Sequence, residues 1–151
     1  DIYKMAVIVS THPRTKKMLK KLNLSLQDNK GIHFMKPFGF FDYIKLQLNS
    51  YCVLSDSGSI TEESSILNFP ALNLREVHER PEGFEESSVM MVGLKNKNIL
   101  NALEIIKDQK RGLDRDLDIV SEYDKDNVSK KIVRIIQSYT DYVNRVVWKK
   151  Y

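Results

Sequence analysis

Cysteine, histidine and long apolar runs are scarce in this chain of 151 residues, and each scarcity excludes a class of protein. A single cysteine, Cys52, excludes an internal disulfide framework, and its apolar neighbours predict that its side chain is buried in the protein. A reducing cytoplasm fits this cysteine usage. Three histidines without the spacing of a metal cluster argue against a metal site. No apolar run approaches the roughly 20 residues that span a bilayer, so we expect no membrane partner.

Strong charge of one sign is also missing. Lysine and arginine number 24 against 20 aspartate and glutamate residues, which leaves a formal net charge of +4. The lysine pairs at 16–17, 20–21 and 149–150 lie on otherwise helical patterns, and we interpret them as solvated faces. No basic stripe is interleaved with exposed aromatics, so we expect no nucleic-acid partner. The length and a hydrophobic fraction of 42% suit one globular domain with a core.

Short apolar runs alternate with helical patterns along the chain. The predicted strands are residues 5–9, 32–35, 51–54, 71–74 and 89–92, and the predicted helices are residues 13–21, 40–48, 60–67, 98–110 and 126–150. Such alternation predicts an α/β fold, in which a Rossmann-like parallel sheet carries helices on both faces. The continuous apolar run 5–9 is typical of a strand covered on both faces. We expect a turn at 28–31 and a loop over 75–87.

Two predicted helices carry apolar faces with expected positions. In residues 40–48, the spacing of Phe41, Ile44 and Leu48 directs these side chains toward the core. Residues 126–150 form an amphipathic stripe that begins after a cap at Asp126 or Asn127. That stripe covers the sheet of this domain or crosses to another domain, and the sequence leaves both possibilities open.

The stretch around which the chain is organised is residues 55–63, which read SDSGSITEE. It follows an apolar strand and opens a helix, where unpaired backbone N–H groups and the helix dipole favour an anion. Ser57 and Ser59 add hydroxyl donors, Gly58 permits close approach of a ligand, and Glu63 suits a sugar diol. The alternative is a simple helix cap, in which Glu62 or Glu63 closes a capping box.

Further candidate residues follow other strands, whose carboxyl ends meet at one edge of a parallel sheet. His12 is placed to donate to phosphate or assist proton transfer, or it has only a structural role. Phe40 and Tyr43 flank a planar base, or they belong to the core. Arg80 offers a charged fork to phosphate oxygens, or it pairs with a nearby glutamate, of which the candidates are Glu76, Glu79 and Glu82.

The sequence lacks the motifs of two large enzyme classes. It contains no G-x-S-x-G elbow, and Gly58 is not part of a G-x-x-x-x-G-K-[ST] loop. Serine hydrolysis and nucleoside triphosphate hydrolysis are therefore disfavoured. The residues indicate a nucleotide-linked ligand without indicating which reaction it undergoes.

Three separated motifs together are similar to those of a known family. Residues 55–63, then Pro70, then ERPEG at 79–83 occur in order at fitting spacings. This set resembles the carboxyl-terminal domain of non-hydrolysing UDP-N-acetylglucosamine 2-epimerases, and the resemblance extends over about residues 7–92. The segments KPFGF at 36–40 and KLQ at 45–47 look most like the branch that makes N-acetylfucosamine-type nucleotide sugars for bacterial capsule and O-antigen.

The resemblance implies a GT-B fold with the active site in the cleft between two domains. It implies that Ser57, Gly58 and Ser59 hold the UDP diphosphate and that Glu63 takes the ribose hydroxyls. Arg80 would lie near the phosphates or the sugar, and it and His12 would support catalysis. Phe40 and Tyr43 would border the uracil.

The implied reaction inverts C2 of the sugar. UDP leaves by anti elimination to a 2-acetamidoglycal and adds back after the intermediate rotates. The implied substrate is a UDP-N-acetylhexosamine, no cofactor or metal is needed, and a homodimer is expected.

Two departures from the family pattern bear on these expectations. The family has Gly-Gly where this chain has Gly58-Ser59, and serine costs backbone freedom while adding a hydroxyl. The His-Arg-Glu-type segment of the family is not found here, nor is an amino-terminal domain. We therefore expect residues 1–151 to be a partial carboxyl-terminal UDP-binding domain without its first βα unit, which would be inactive alone.

Two rival functions stay open on the sequence. A GT-B glycosyltransferase that passes a sugar from UDP to an acceptor would have a similar fold and nucleotide site. A non-catalytic module that binds nucleotide sugars would also use the serines and glycine of residues 57–59.

Overall fold

The computed structural model describes residues 2–22 and 31–150. The chain divides after residue 50 into two compact units, residues 1–50 and 51–151. The predicted turn at 28–31 lies outside the described residues except for Gly31. Both units consist of parallel strands and helices that alternate along the chain, which confirms the predicted α/β class.

The first unit contains two parallel strands and two helices. Strand β1 (Val7–Ser10) pairs with β2 (Ile32–Met35), and helices α1 (Pro13–Lys21) and α2 (Phe40–Asn49) follow them. Pro13 occupies the first turn of α1, where its missing N–H leaves no hydrogen bond unmade. The positions of all four elements agree with the sequence prediction.

The burial predicted for the first unit is wrong. Val7 and Ile8 of β1 are 46% and 50% exposed, although the apolar run predicted cover on both faces. In α2, Phe41 is 84% exposed and Leu48 is 40% exposed, whereas Gln47 is buried. Periodicity identifies residues that share a face, but it does not show which face other parts of the chain cover.

The second unit is built on a three-stranded parallel sheet. Strand β4 (Ala71–Asn73) lies between β3 (Val53–Ser55) and β5 (Met90–Met91). Helix α3 (Ile60–Leu67) links β3 to β4, α4 (Pro81–Glu85) lies between β4 and β5, and α5 (Asn96–Ile106) follows β5. The short helix α4 lies inside residues 75–87, so the prediction that this whole stretch is a loop is wrong.

Two apolar clusters use alternate residues of the central strand. Ala71 packs with the buried side chains Ile60, Phe69 and Val89. Leu72 packs with a different buried set, which comprises Val92, Ala102 and Ile106. Because successive side chains of a strand point to opposite faces, β4 is buried on both sides. Burial of Ile60, the first residue of α3, fixes the start of that helix and the loop that precedes it.

The carboxyl end of the chain departs from the single long helix predicted over 126–150. Helix α6 (Val128–Tyr142) continues as a π-helical segment (Val143–Val147), and Asn127 precedes α6 with a left-handed φ of 61°. The predicted apolar stripe lies on α6, but its members are exposed, for example Ile132 at 49% and Ile135 at 57%. Within the residues that the structure describes, no helix is long and apolar enough to cross a membrane.

Candidate functional site

The candidate site is centred on the loop between β3 and α3. β3 ends at Ser55 and α3 begins at Ile60, whose side chain is 1% exposed. The backbone N–H of Ser57 donates to Oγ of Ser55 over 3.1 Å, which closes the turn that leaves the strand. A buried helix start and a closed turn therefore hold residues 57–59 in place from both ends.

Backbone donors are available at the start of α3. Among the residues that the structure describes, the N–H groups of Gly58, Ser59 and Ile60 form no hydrogen bond. The next amides do bond: Thr61 N–H donates to Gly58 O over 3.2 Å, and Glu63 N–H donates to Ser59 O over 2.9 Å. Unpaired N–H groups at the positive end of a helix dipole are suited to an anion.

The hydroxyl groups of the loop form a chain that ends on a carboxylate. Ser57 Oγ and Ser59 Oγ are 3.1 Å apart, and Ser59 Oγ donates to Glu63 Oε1 over 2.9 Å. Ser59 occupies the N-cap position, yet its side chain makes no capping hydrogen bond to the backbone. The capping alternative therefore does not account for Ser59, whose hydroxyl is directed along the site instead.

The serine that replaces the second glycine of the family pattern fits without strain. Ser59 has φ −64° and ψ −14°, which is ordinary right-handed helical backbone for any L-residue. The expected cost in backbone freedom is therefore absent at this position, and the added hydroxyl bonds Glu63.

Arg80 reaches this loop from the segment before α4. Its Nε donates to Glu62 Oε1 over 2.7 Å, and its Nη1 donates to the backbone oxygen of Glu79 over 3.2 Å. The hydrogen bond to Glu62 and the attraction of that carboxylate raise the pKa of Arg80. The ion-pair partner is thus a glutamate of α3, and the sequence-based alternative that paired Arg80 with a nearby glutamate of its own segment is wrong.

Gly58 faces the side chains of this second segment. A Cβ on Gly58 would lie 3.2 Å from Glu79 Oε2 and 3.8 Å from Arg80 Nη2. The structure therefore brings Ser57, Gly58, Ser59 and Arg80 together, as their positions after strands predicted. The proximity of the Glu79 carboxylate was not expected.

Arg75 ties the two segments to each other. Its Nε donates to the backbone oxygen of Asp56 over 2.6 Å, and its Nη1 forms an ion pair with Glu79. The hydrogen bond from Arg75, together with its charge, lowers the pKa of Glu79. This role of Arg75 was not predicted from the sequence, although an arginine at the end of β4 next to a ligand loop is a usable signal.

Tyr123 anchors α4 from a distant part of the chain. Its hydroxyl donates to Glu82 Oε1 over 2.8 Å. Burial raises the pKa of Tyr123, and the bond to Glu82 adds to this effect. The pKa of Glu82 is lowered, first by its own backbone N–H and then by Tyr123. No sequence signal linked two residues 41 positions apart.

His78 has a structural contact within the same segment. Its Nδ1 accepts from the backbone N–H of Arg80 over 3.2 Å, and its ring lies 5.1 Å from that of Phe84. Its Nε2 is buried and has no hydrogen-bond partner among the described residues. The ring therefore holds the backbone of Arg80 in place.

His12, Phe40 and Tyr43 lie in the first unit. His12 is the N-cap of α1, where its Nδ1 accepts from the backbone N–H of Arg14 over 3.2 Å. Phe40 is 73% exposed and packs edge-on against Phe41, whereas Tyr43 is half-buried. Their approach to Ser57 and to a nucleotide stays a prediction.

The described part of the site is suited to holding an anion and carries no metal-ligand cluster. Residues 2–22 and 31–150 contain no group of three or more histidine, cysteine, aspartate or glutamate side chains placed to hold a metal ion. The acidic side chains near Arg80 each have a cation or hydroxyl partner: Glu62, Glu63, Glu79 and Glu82.

The same combination of motif and fold occurs in known proteins. The family model described as UDP-N-acetylglucosamine 2-epimerase matches residues 1–137. The chain belongs to this family. A curated UDP-N-acetylglucosamine 2-epimerase of Methanocaldococcus jannaschii is 41% identical over 113 residues, which are 74% of this chain and 31% of that protein.

Solved structures of this family superpose on the chain. The UDP-N-acetylglucosamine 2-epimerase of Rickettsia bellii has 49% identity and a TM-score of 0.84, with 99% of this chain and 40% of that chain covered. The Methanocaldococcus jannaschii enzyme in complex with UDP-GlcNAc and UDP has 36% identity and a TM-score of 0.80, with 91% and 37% covered. The chain thus spans well under half of these relatives, which is consistent with the predicted carboxyl-terminal part of a GT-B epimerase.

Proposed function

We propose that this chain supplies the UDP-binding part of an epimerase that inverts C2 of a UDP-N-acetylhexosamine. The observation that carries the proposal is the approach of Arg80 to Gly58 at the start of α3, where the N–H groups of Gly58 and Ser59 have no partner among the described residues. Helix N-terminal amides and an arginine fork are complementary to a diphosphate. Membership of the epimerase family supports UDP as the carrier of that diphosphate.

The chemistry that this arrangement favours is departure of UDP. In the proposed reaction the bond between C1 and the β-phosphate oxygen breaks while the C2 proton is removed, which gives a 2-acetamidoglycal and UDP. Negative charge then develops on the leaving phosphate, where Arg80, Ser57 and the N–H groups stabilise it. Return of UDP, with a proton delivered to the opposite face of C2, completes the inversion.

The remaining site residues take supporting places in this proposal. Glu63 receives the ribose hydroxyls, His12 faces the nucleotide, and Phe40 and Tyr43 border the uracil. The exposure of Phe40 at 73% is compatible with a ring that stacks on a base. The N–H group of Gly58 forms no hydrogen bond with the described residues, so it can donate to a phosphate oxygen.

The groups that move the C2 proton are proposed to lie outside these 151 residues. The chain covers 31% of its Methanocaldococcus relative and 40% of the Rickettsia chain, so an amino-terminal domain is proposed to complete the cleft. The isolated chain is then expected to form no C2 epimer from UDP-N-acetylglucosamine. Formation of that epimer by the 151-residue chain would contradict this part of the proposal.

The biological setting is also a proposal. The likeness of segments 36–40 and 45–47 to the N-acetylfucosamine branch supports a role in precursor synthesis for bacterial surface polysaccharide. A cytoplasmic homodimer is the proposed form. Sedimentation of the purified protein tests the dimer, and loss of surface polysaccharide on gene deletion tests the setting.

Calorimetric titration of the chain with UDP and with uridine tests the site itself. Arg80→Ala removes a charge-assisted contact and is expected to weaken UDP binding about tenfold or more. Ser57→Ala removes one neutral hydroxyl and is expected to weaken it about 2- to 10-fold. Neither change should alter uridine binding.

Matched controls are Arg134→Ala and Ser121→Ala, which remove the same kinds of side chain at exposed positions. UDP affinity equal to that of the parent in both Arg80→Ala and Ser57→Ala would show that the diphosphate does not bind at this loop.

A further inference from the structure

Two hydrogen bonds define the orientation of the Arg80 guanidinium. Nε donates to Glu62 Oε1 over 2.7 Å and Nη1 donates to the backbone oxygen of Glu79 over 3.2 Å. Because the guanidinium is planar and its donors form a rigid fork, two contacts at different nitrogens determine where the third nitrogen points.

That third nitrogen, Nη2, points to the candidate anion loop. It lies 3.8 Å from the position that a Cβ on Gly58 would occupy, and it has no hydrogen-bond partner among the described residues. We infer that Glu62 is a positioning residue, which holds Nε of Arg80 so that Nη2 is directed at a phosphate oxygen in front of Gly58. This inference rests on the proposed function.

Glu62 lies near the buried start of its helix. It is the third residue of α3, directly after Ile60 and Thr61, whose side chains are each 1% exposed. Its second oxygen, Oε2, is buried and has no partner among the described residues. The carboxylate therefore accepts from Arg80 through Oε1, and no described group donates a hydrogen bond to Oε2.

The charge of Glu62 argues for a geometric role. A carboxylate beside Arg80 partly cancels the attraction of that arginine for a diphosphate. An anion site is therefore weakened electrostatically by Glu62, so the benefit of this residue to the site lies in the orientation that it imposes. Preorganisation of a long side chain reduces the entropy lost when a ligand binds.

The other nearby carboxylates have different partners. Glu79 forms its ion pair with Arg75, and Glu82 accepts from Tyr123. Among the hydrogen bonds of the described residues, Glu79 contacts Arg80 through its backbone oxygen and not through its carboxylate. Glu62 is thus the side chain in a position to orient the guanidinium.

Two substitutions of Glu62 separate the effect of its side-chain length from the effect of its negative charge. Glu62→Asp keeps the charge but shortens the side chain by one methylene, which withdraws the acceptor from Nε. Glu62→Gln keeps the reach and the acceptor oxygen but removes the charge. If Glu62 acts by positioning, Glu62→Asp weakens UDP binding about 2- to 12-fold and Glu62→Gln stays within twofold of the parent.

Calorimetric titration with UDP and uridine provides the measurement. Uridine lacks phosphate, so its affinity is expected to be unchanged in both variants. In an Arg80→Ala background, Glu62→Asp is expected to have no further effect, because Glu62 acts through Arg80. Glu85→Ala, which removes an exposed carboxylate of α4, is the control for charge and should bind UDP as the parent does.

Opposite results would overturn the inference. If charge were decisive, Glu62→Gln would bind UDP more tightly and Glu62→Asp would match the parent. A loss of uridine affinity equal to the loss of UDP affinity would indicate general disruption of the fold instead. Weakened UDP binding in Arg80→Ala, with no change in Glu62→Asp, would overturn the inference while leaving the proposed function intact.

A measurement without ligand distinguishes failure of the positioning inference from failure of the proposed function. The Arg80 Nε–H resonance of the parent should exchange slowly with water, and Glu62→Asp should accelerate that exchange while Glu62→Gln should not. A parent chain that shows this pattern but binds no UDP would contradict the proposed function and not the orientation of Arg80. Equal exchange in all three proteins would overturn the positioning role directly.

Discussion

Gly83 of α4 packs so closely on Thr61 of α3 that a Cβ at position 83 would overlap Cγ2 of Thr61. Thr61 is 1% exposed, and the contact sets the approach of α4 to α3. Arg80 directly precedes α4, and Glu62 directly follows Thr61. A contact between two small groups therefore fixes the separation across which the candidate anion site forms.

Gly83→Ala is expected to destabilise the chain by about 1–3 kcal/mol, because overpacking forces one of the two helices to move. Thermal or urea unfolding measures the loss. Thr61→Ser removes the obstructing Cγ2, so the double variant should regain most of the lost stability. A Gly83→Ala chain as stable as the parent would show that α4 moves freely on α3.

Arg75→Ala is expected to raise the pKa of Glu79 toward its ordinary value of 4.5, since Arg75 is the main cause of the lowered pKa. In the parent, the stabilisation from this pair is present above pH 4.5 and is lost as pH falls through the lower folded pKa. Carboxyl NMR titration provides the measurement.

Glu82 is the internal control for that titration, because its pKa is lowered chiefly by its own backbone N–H. Glu82 should titrate as in the parent. An unchanged Glu79 titration in the Arg75→Ala chain would show that the ion pair does not persist in solution.

The Cys52 thiol is expected to react slowly with disulfide reagents at pH 8. Burial raises its pKa from 9.0 to about 12, so little reactive thiolate forms. The folded chain retains this proton between those values while the unfolded chain loses it, so stability should fall as pH rises from 9 to 12. The rates at which the Cys52 thiol is labelled with and without denaturant test the expected slow reaction of the folded chain. Equal rates under the two conditions would contradict it.

Asn68→Gly is expected to cost about 1–3 kcal/mol, because the buried side-chain amide of Asn68 and its two hydrogen bonds are removed. The Asn68 amide donates to Gly112 O over 3.0 Å and to Asp114 O over 2.7 Å. Its left-handed φ of 54° suits glycine, so Asn68→Ala should cost about 1–2 kcal/mol more. Urea unfolding compares the variants, and equal stability of Gly and Ala would contradict the backbone argument.

Much of the local structure was predictable because it depends on neighbours in the chain. Helix α3 was predicted at the residues where it occurs, since Leu67 precedes a turn with Pro70 and Ile60 follows the serine-rich loop. The positions of Ser57, Gly58 and Arg80 after strands correctly indicated that they meet, because parallel strands place their carboxyl ends at one edge.

The pairing within the site was not predictable. The sequence offered Glu62 only as one candidate for a capping box, and for Arg80 it offered phosphate or a glutamate of its own segment. The structure pairs Glu62 with Arg80, 18 residues apart. No sequence pattern indicated that Tyr123 donates to Glu82. Such contacts depend on how α3, α4 and the chain after α5 pack, which hydrophobic spacing does not specify.

The sequence by itself determined the α/β class, the order of elements and membership of the epimerase family, because strand and helix periods and the SDSGSITEE and ERPEG motifs are local patterns. Only the tertiary structure decided which faces are buried and which carboxylate orients Arg80. Burial and ion pairing depend on distances between residues far apart in the chain, and those distances exist only once Gly83 rests on Thr61 and β4 lies between its two neighbouring strands.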